Sequence, residues 1–135
     1  MTIIQFIYLY LLTVPVFFLI DMLWLGVVAK DFYQDKLAGL LGEVNWTAAI
    51  VFYLIFIVGI IFFAVIPALD VQSWHKALLW GIMFGFFTYA TYDLTNLATL
   101  KNWPMVVVVV DIIWGMVLSG SVAVASYFIG KSLFL

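Results

Sequence analysis

The chain has 135 residues, of which 68% are hydrophobic and only 9% are charged. In a soluble domain about a quarter of the residues are charged. This chain has too few charged residues to cover a water-facing surface, and it therefore belongs in a lipid bilayer. Its 5 basic and 7 acidic residues form no basic cluster, which argues against nucleic acid as a partner. The absence of cysteine excludes disulfides and thiol chemistry.

Four apolar segments follow one another along the chain, at about 3–28, 46–68, 76–99 and 104–130. Each is as long as the roughly 20 residues that a helix needs to cross the hydrocarbon layer, or longer. The segments are too long for strands and lack alternation of polar and apolar residues. The first segment lacks the basic start of a cleavable signal. The sequence therefore predicts an all-α integral membrane protein, a four-transmembrane-helix bundle forming one domain over residues 1–135.

The longest connection, residues 29–45, mixes apolar side chains such as Phe32 and Leu37 with lysines and acids. We interpret it as a short interfacial helix between helices 1 and 2, with an ordinary polar loop as the alternative. Four crossings place both termini on one side of the membrane, here called the termini side. Residues 29–45 and 100–103 then lie on the opposite loop side. Lysines occur on both sides, so the positive-inside rule leaves the orientation open.

Three aspartates lie inside the apolar segments: Asp21, Asp93 and Asp111. Each is about seven residues, or roughly 10 Å, from the loop-side end of its segment, so the three lie at a similar depth. A lipid-facing carboxylate costs on the order of 3 kcal/mol, and we therefore expect all three to face inward. No basic residue is near them in sequence. We predict that at least one keeps its proton at neutral pH, or that a cation or basic group binds.

Aromatic and polar residues accompany these acids at helical spacing. A tryptophan follows the aspartate by three residues in segments 1 and 4, and tyrosines and an asparagine lie on or beside the Asp93 face in segment 3. The candidate catalytic residues are Asp21, Asp93 and Asp111, and the candidate ligand-binding residues are Trp24, Tyr89, Tyr92, Asn96 and Trp114. The alternative is that the acids only join helices by hydrogen bonds and that the aromatic residues only pack.

The remaining features are less specific. Gly81 and Gly85 form a small-xxx-small pair that allows close helix approach or a dimer contact. His75 is the one histidine and is assigned to the surface on the termini side. Three aspartates and an asparagine could offer oxygen ligands to a hard cation. However, no metal-binding spacing is present, and neither a metal nor a cofactor is expected.

These observations favour a pocket, opening to the loop side, that binds a small amphipathic or lipid-like molecule. One alternative is an integral-membrane enzyme that uses aspartate acid/base chemistry on a lipid or isoprenoid. Another is a proton-coupled transporter subunit, or an accessory subunit that uses the Gly81–Gly85 face. The expected partners are membrane lipids and the small ligand, with a homo-oligomer or a larger membrane complex as further candidates.

Three stretches carry a family resemblance: D-M-L-W-L-G at 21–26, Y-D-L-T-N-L-A-T-L-K-N-W-P at 92–104 and V-D-I-I-W-G at 110–115. Together they resemble a bacterial membrane-protein family catalogued as domain of unknown function 2177. The similarity runs over nearly the whole chain. It implies a small, multi-pass protein of the bacterial inner (cytoplasmic) membrane, and it brings no established activity. The matching positions are Asp21, Trp24, Gly26, Tyr92, Asp93, Thr95, Asn96, Asn102, Trp103, Pro104, Asp111 and Trp114.

Overall fold

The computed structural model describes residues 1–135 and contains helices and no strands. Its helices are α1 (Ile3–Val28), α2 (Lys30–Lys36), α3 (Trp46–Asp70), α4 (Trp74–Thr99) and α5 (Met105–Phe134). By length and composition, α1, α3 and α5 can each cross a membrane. The predicted all-α membrane class is thereby confirmed.

Polar side chains define where three of the long helices begin. Thr2, Asn45 and Ser73 each accept a hydrogen bond from a backbone N–H in the first turn of α1, α3 and α4, at 3.2, 3.1 and 3.3 Å. These N–H groups have no partner within the helix, so the caps stabilise the starts. Before α5 the chain is extended at Pro104 (φ −71°, ψ 133°). The proline requires no hydrogen bond from its own backbone nitrogen.

Two of the long helices contain a π-helical turn. Trp24–Val28 ends α1, and Ile61–Val65 lies within α3. Pro67 follows the second turn. A proline lacks an N–H and its ring crowds the preceding turn, so a widened turn just before it relieves both problems. The first π turn includes Trp24, three residues after Asp21, and π turns of this kind are frequent at functional sites.

The contacts show that α1 and α5 run antiparallel. Thr13 bonds Ser126 at 2.8 Å, and Asp21 bonds Trp114 at 3.1 Å. Residue numbers therefore rise along α1 as they fall along α5. This direction brings the loop-side ends of the two helices, with their Asp-x-x-Trp sequences, next to each other.

Helices α4 and α5 approach each other through glycines. A Cβ at Gly81 would lie 2.7 Å from the Ser119 carbonyl oxygen, and a Cβ at Gly85 would overlap the Gly115 carbonyl. The small pair predicted from sequence therefore packs against α5 of the same chain. Because α5 covers this face, it is not free for the second copy or the larger complex that the sequence left as an alternative.

The tightly packed core lies on the termini side. Apolar side chains of all four long helices are fully buried there, including Leu9, Ile60, Ile61, Ala64, Val65, Ala68, Ala77, Leu118, Val122 and Ala123. The Thr13–Ser126 hydrogen bond is embedded among them. The loop side holds fewer buried residues, and it is there that the helices leave space between them.

Candidate functional site

A cavity of about 670 Å³ lies between the helices on the loop side. This volume is in the range of small-molecule sites. All five helices contribute to its wall, and 13 of the 16 lining residues are hydrophobic. The three exceptions are Asp21, Thr88 and Asp111. Eight lining residues are aromatic: Tyr33, Phe52, Tyr53, Phe56, Tyr89, Tyr92, Trp103 and Trp114.

Two tryptophans stack where α1 and α5 meet. The rings of Trp24 and Trp114 are 4.5 Å apart between centroids and inclined by 7°. Each belongs to an Asp-x-x-Trp sequence, so the two similar stretches meet as a pair. The stacked rings form a rigid apolar support directly beside Asp21 and Asp111.

Each tryptophan is connected by hydrogen bonds to the aspartate of the opposite helix, either directly or through Tyr33. The Trp114 indole N–H donates to Asp21 Oδ1 at 3.1 Å. The Trp24 indole N–H donates to the Tyr33 hydroxyl at 3.1 Å, and Tyr33 donates to Asp111 Oδ1 at 2.7 Å. Helix α2 is thus attached to both α1 and α5. In this crossed pattern the tryptophan of each Asp-x-x-Trp sequence helps to orient the aspartate of the other sequence.

Tyr33 is a permanent donor in this network. It lies in α2, where burial, followed by the charge of the Asp111 carboxylate, raises the pKa of its hydroxyl well above the ordinary value of 10.0. Both effects disfavour the phenolate. The hydroxyl therefore stays protonated across the physiological pH range and continues to donate to Asp111.

Asp93 lies behind Asp111 and outside the cavity wall. Its side chain is fully buried, and neither carboxyl oxygen has a hydrogen-bond partner. The polar side chains that face it are Asp111 and Trp103. The Trp103 indole nitrogen is also buried without a hydrogen bond. Two carboxyl groups and an indole N–H thus lie side by side in a buried setting, where a proton shared between the carboxyl groups would stabilise them.

No cation faces these carboxyl groups. The polar groups opposite Asp21 are Trp114, Tyr53 and Asp111. The three aspartates also do not form a group spaced to hold a metal ion. Asp111 has Asp21 and Asp93 as its acidic neighbours. The site thus concentrates negative or proton-binding groups with only hydrogen-bond donors from tryptophan and tyrosine around them.

The structure brings most of the predicted site residues together. Five line the cavity: Asp21, Tyr89, Tyr92, Asp111 and Trp114. Trp24 lies outside the lining and supports it by stacking. Asp93 and Asn96 also lie outside the cavity wall, although Asp93 touches the site through Asp111.

Sequence reasoning missed the aromatic lining residues of two helices, α2 and α3. Tyr33 lies in the short α2, next to Phe32, and the sequence pattern of this connection does not show that its hydroxyl reaches Asp111. Phe52, Tyr53 and Phe56 of α3 all line the cavity, but they lie in an uninterrupted apolar segment where nothing distinguishes a wall residue from a lipid-facing one. Only the packing of α3 against α1 and α4 selects them.

Fold and site together define a class: an all-helical membrane protein with a carboxylate and aromatic cavity near one end of its helices. The chain belongs to the family described as "Predicted membrane protein (DUF2177)", whose model matches residues 6–128. The resemblance recognised in the three sequence stretches is thereby confirmed. No curated protein and no solved structure matches the chain.

Proposed function

We propose that this protein is a four-transmembrane-helix bundle that binds a small amphipathic or lipid-like molecule in its loop-side cavity. Helix α4 is the fourth crossing, because its 26 residues span roughly 39 Å and exceed the hydrocarbon thickness. Helix α2 lies at the membrane interface. A bacterial inner membrane, as the sequence resemblance implies, is its proposed location, and membrane lipids are its surroundings.

The observation that carries the proposal is the composition of the cavity wall. Phe52 and Phe56 offer an apolar surface, while Asp21 and Asp111 offer two carboxyl groups in the same cavity. Ligand sites typically combine a large apolar wall with a few placed polar groups. An amphipathic molecule satisfies both parts, with its chain along the aromatic residues and its polar end at the carboxyl groups.

The core favours binding over transport. Phe17, Leu118 and Val122 are fully buried between the cavity and the termini side. A transported ion or proton needs polar or ionisable groups along its whole path. The buried polar side chains of this region are the hydroxyls of Thr13, Ser119 and Ser126, and no carboxyl group, lysine or histidine is buried with them. The cavity is therefore proposed as a site with access from the loop side and a closed inner end.

A second candidate is an integral-membrane enzyme acting on a lipid or isoprenoid. It is favoured by the unpartnered Asp93 facing Asp111, because two adjacent carboxyl groups can pass a proton to or from a bound molecule. Incubating purified protein with extracted membrane lipids and searching for a new product by mass spectrometry tests this candidate. A product formed by the native protein and absent with Asp93→Asn would support it.

Mass spectrometry of molecules that copurify with the native protein tests the proposed binding. Ala49 lines the cavity, and Ala49→Trp fills it. Ala98→Trp is the matched control, because Ala98 is exposed on α4 and lies outside the cavity. We expect a bound amphiphile with the native protein and with Ala98→Trp, and at least a tenfold reduction with Ala49→Trp, which corresponds to about 1.4 kcal/mol. Equal retention by all three folded proteins would refute the proposal.

A further inference from the structure

We propose that the polar end of the ligand is an ammonium group, so that the ligand is a cationic amphiphile such as a long-chain amine. This inference rests on the proposed binding function and specifies the chemistry of its ligand. It is carried by three features of the cavity: the charge of its wall, the burial of the acid behind the wall, and its aromatic content.

The charged residues of the wall are both acids. Asp21 and Asp111 line the cavity, and no lysine or histidine does. The lysines nearest in sequence to the loop side, Lys30, Lys36 and Lys101, are exposed. A phosphate or carboxylate head would meet like charge without a counter-charge, whereas an ammonium supplies the charge that the site lacks.

Asp93 strengthens this charge argument independently of the cavity lining. Its carboxyl group is fully buried and lies next to the side chains of Asp111 and Trp103. Burial and the neighbouring acid favour a protonated Asp93, and a hydrogen bond from its hydroxyl would favour the ionised form of Asp111, the charge that a bound ammonium group would meet.

The aromatic wall is suited to an organic cation. Half of the lining residues are aromatic, and Tyr53, Tyr89 and Trp114 belong to the same wall as the two carboxyl groups. Ring faces attract ammonium groups, most strongly when both are removed from water. A Ca²⁺ ion would instead require six to eight oxygen ligands, and the carboxyl groups of this chain do not form a group spaced to hold a metal ion.

Binding of matched probes tests the inference. Dodecylamine, dodecanol and dodecanoate share one chain and differ in their heads, and native mass spectrometry in a neutral detergent measures the fraction of protein that carries each. We expect dodecylamine to bind at least about tenfold more tightly than dodecanol, and dodecanoate most weakly. Butylamine serves as a fourth probe, because it separates a free small amine from a lipid-like one, and we expect it to bind far more weakly.

Variants connect the preference to the site. In Asp111→Asn the amide oxygen can still accept the Tyr33 hydrogen bond, while the charge is lost. We expect this variant and Asp21→Asn to lower dodecylamine binding about tenfold and to leave dodecanol binding unchanged. Ala49→Trp should reduce binding of both. If one Asp variant does not fold, the other variant and the native protein with the four probes still decide the question.

The outcomes separate the two proposals. If dodecanol binds as tightly as dodecylamine and Ala49→Trp removes both, the cavity binds amphiphiles and the ammonium inference is wrong. The same inference is overturned if dodecanoate binds best, or if butylamine binds as tightly as dodecylamine. If no probe binds in a manner sensitive to Ala49→Trp, the proposed binding function fails together with the inference.

Discussion

The termini side and the loop side of this molecule are built from the same four long helices but are packed differently. On the termini side, small residues bring α4 and α5 into backbone contact, and apolar side chains fill the remaining space. On the loop side, aromatic rings hold the helices apart around a cavity. The change occurs at Gly115: Gly85 meets its carbonyl, whereas Tyr89, one turn further along α4, places its ring over it. Residue size, more than hydrophobicity, thus decides where the helices pack closely and where they leave a cavity.

The largest expected effect on stability comes from adding an aromatic ring on the termini side, compared with the same addition on the loop side. Ala123 is fully buried against Gly81, so Ala123→Phe should lower the free energy of unfolding by about 3 kcal/mol or more. Ala49 faces the cavity, and Ala49→Phe should change that free energy by less than about 1 kcal/mol. Unfolding by denaturant in mixed micelles measures both. Similar losses from the two variants would show that the loop side is as closely packed as the termini side.

A single methyl group provides the next comparison. A Cβ at Gly85 would collide with the Gly115 backbone, whereas nothing lies within 4 Å of a Cβ at Gly26. Gly85→Ala should lower the free energy of unfolding by about 2–3 kcal/mol, because the α4 and α5 backbones must separate. Gly26→Ala should leave it unchanged or raise it slightly. The same denaturation measures both, and a tolerated Gly85→Ala would contradict the close α4–α5 contact.

Removing one hydroxyl tests the polar network of the loop side. Tyr33→Phe deletes the group that joins Trp24 to Asp111, and we expect it to destabilise the fold by about 1–2 kcal/mol. Tyr8→Phe is the control, because Tyr8 is an exposed residue of α1. Near-ultraviolet circular dichroism should also weaken in Tyr33→Phe as the stacked tryptophans lose a hydrogen bond. Indistinguishable behaviour of the two variants would remove α2 from the network.

The smallest effect concerns the hydrogen bond inside the packed core. Thr13 and Ser126 bond at 2.8 Å between α1 and α5. A double-mutant cycle with Thr13→Val and Ser126→Ala should give a coupling free energy of about 0.6 kcal/mol, the average for such bonds within membranes. A coupling of several kcal/mol would mean that the termini side depends on this bond as well as on apolar packing.

Different parts of the candidate site were accessible from the sequence to different degrees. Asp21 and Asp111 stand out because a charged residue in a long apolar segment is costly and must face inward. The helical spacing from the aspartates predicts that Trp24 and Trp114 belong to the site. It does not predict that their rings stack or that each tryptophan bonds toward the aspartate of the other helix, because helical periodicity describes one helix at a time. Tyr33 enters only once α2 packs against α1 and α5.

Composition and segment length by themselves determined that this is an all-helical membrane protein, because the bilayer requires long apolar stretches whose backbone groups bond internally. Sequence stretches also determined the family, which the match over residues 6–128 confirms. Only the tertiary structure decided that the Gly81–Gly85 face packs within the chain, that Asp93 lies behind Asp111, and that α3 supplies aromatic wall residues. The physical reason is that the helices have few polar positions, so the face each one buries depends on how small and large side chains of neighbouring helices fit together.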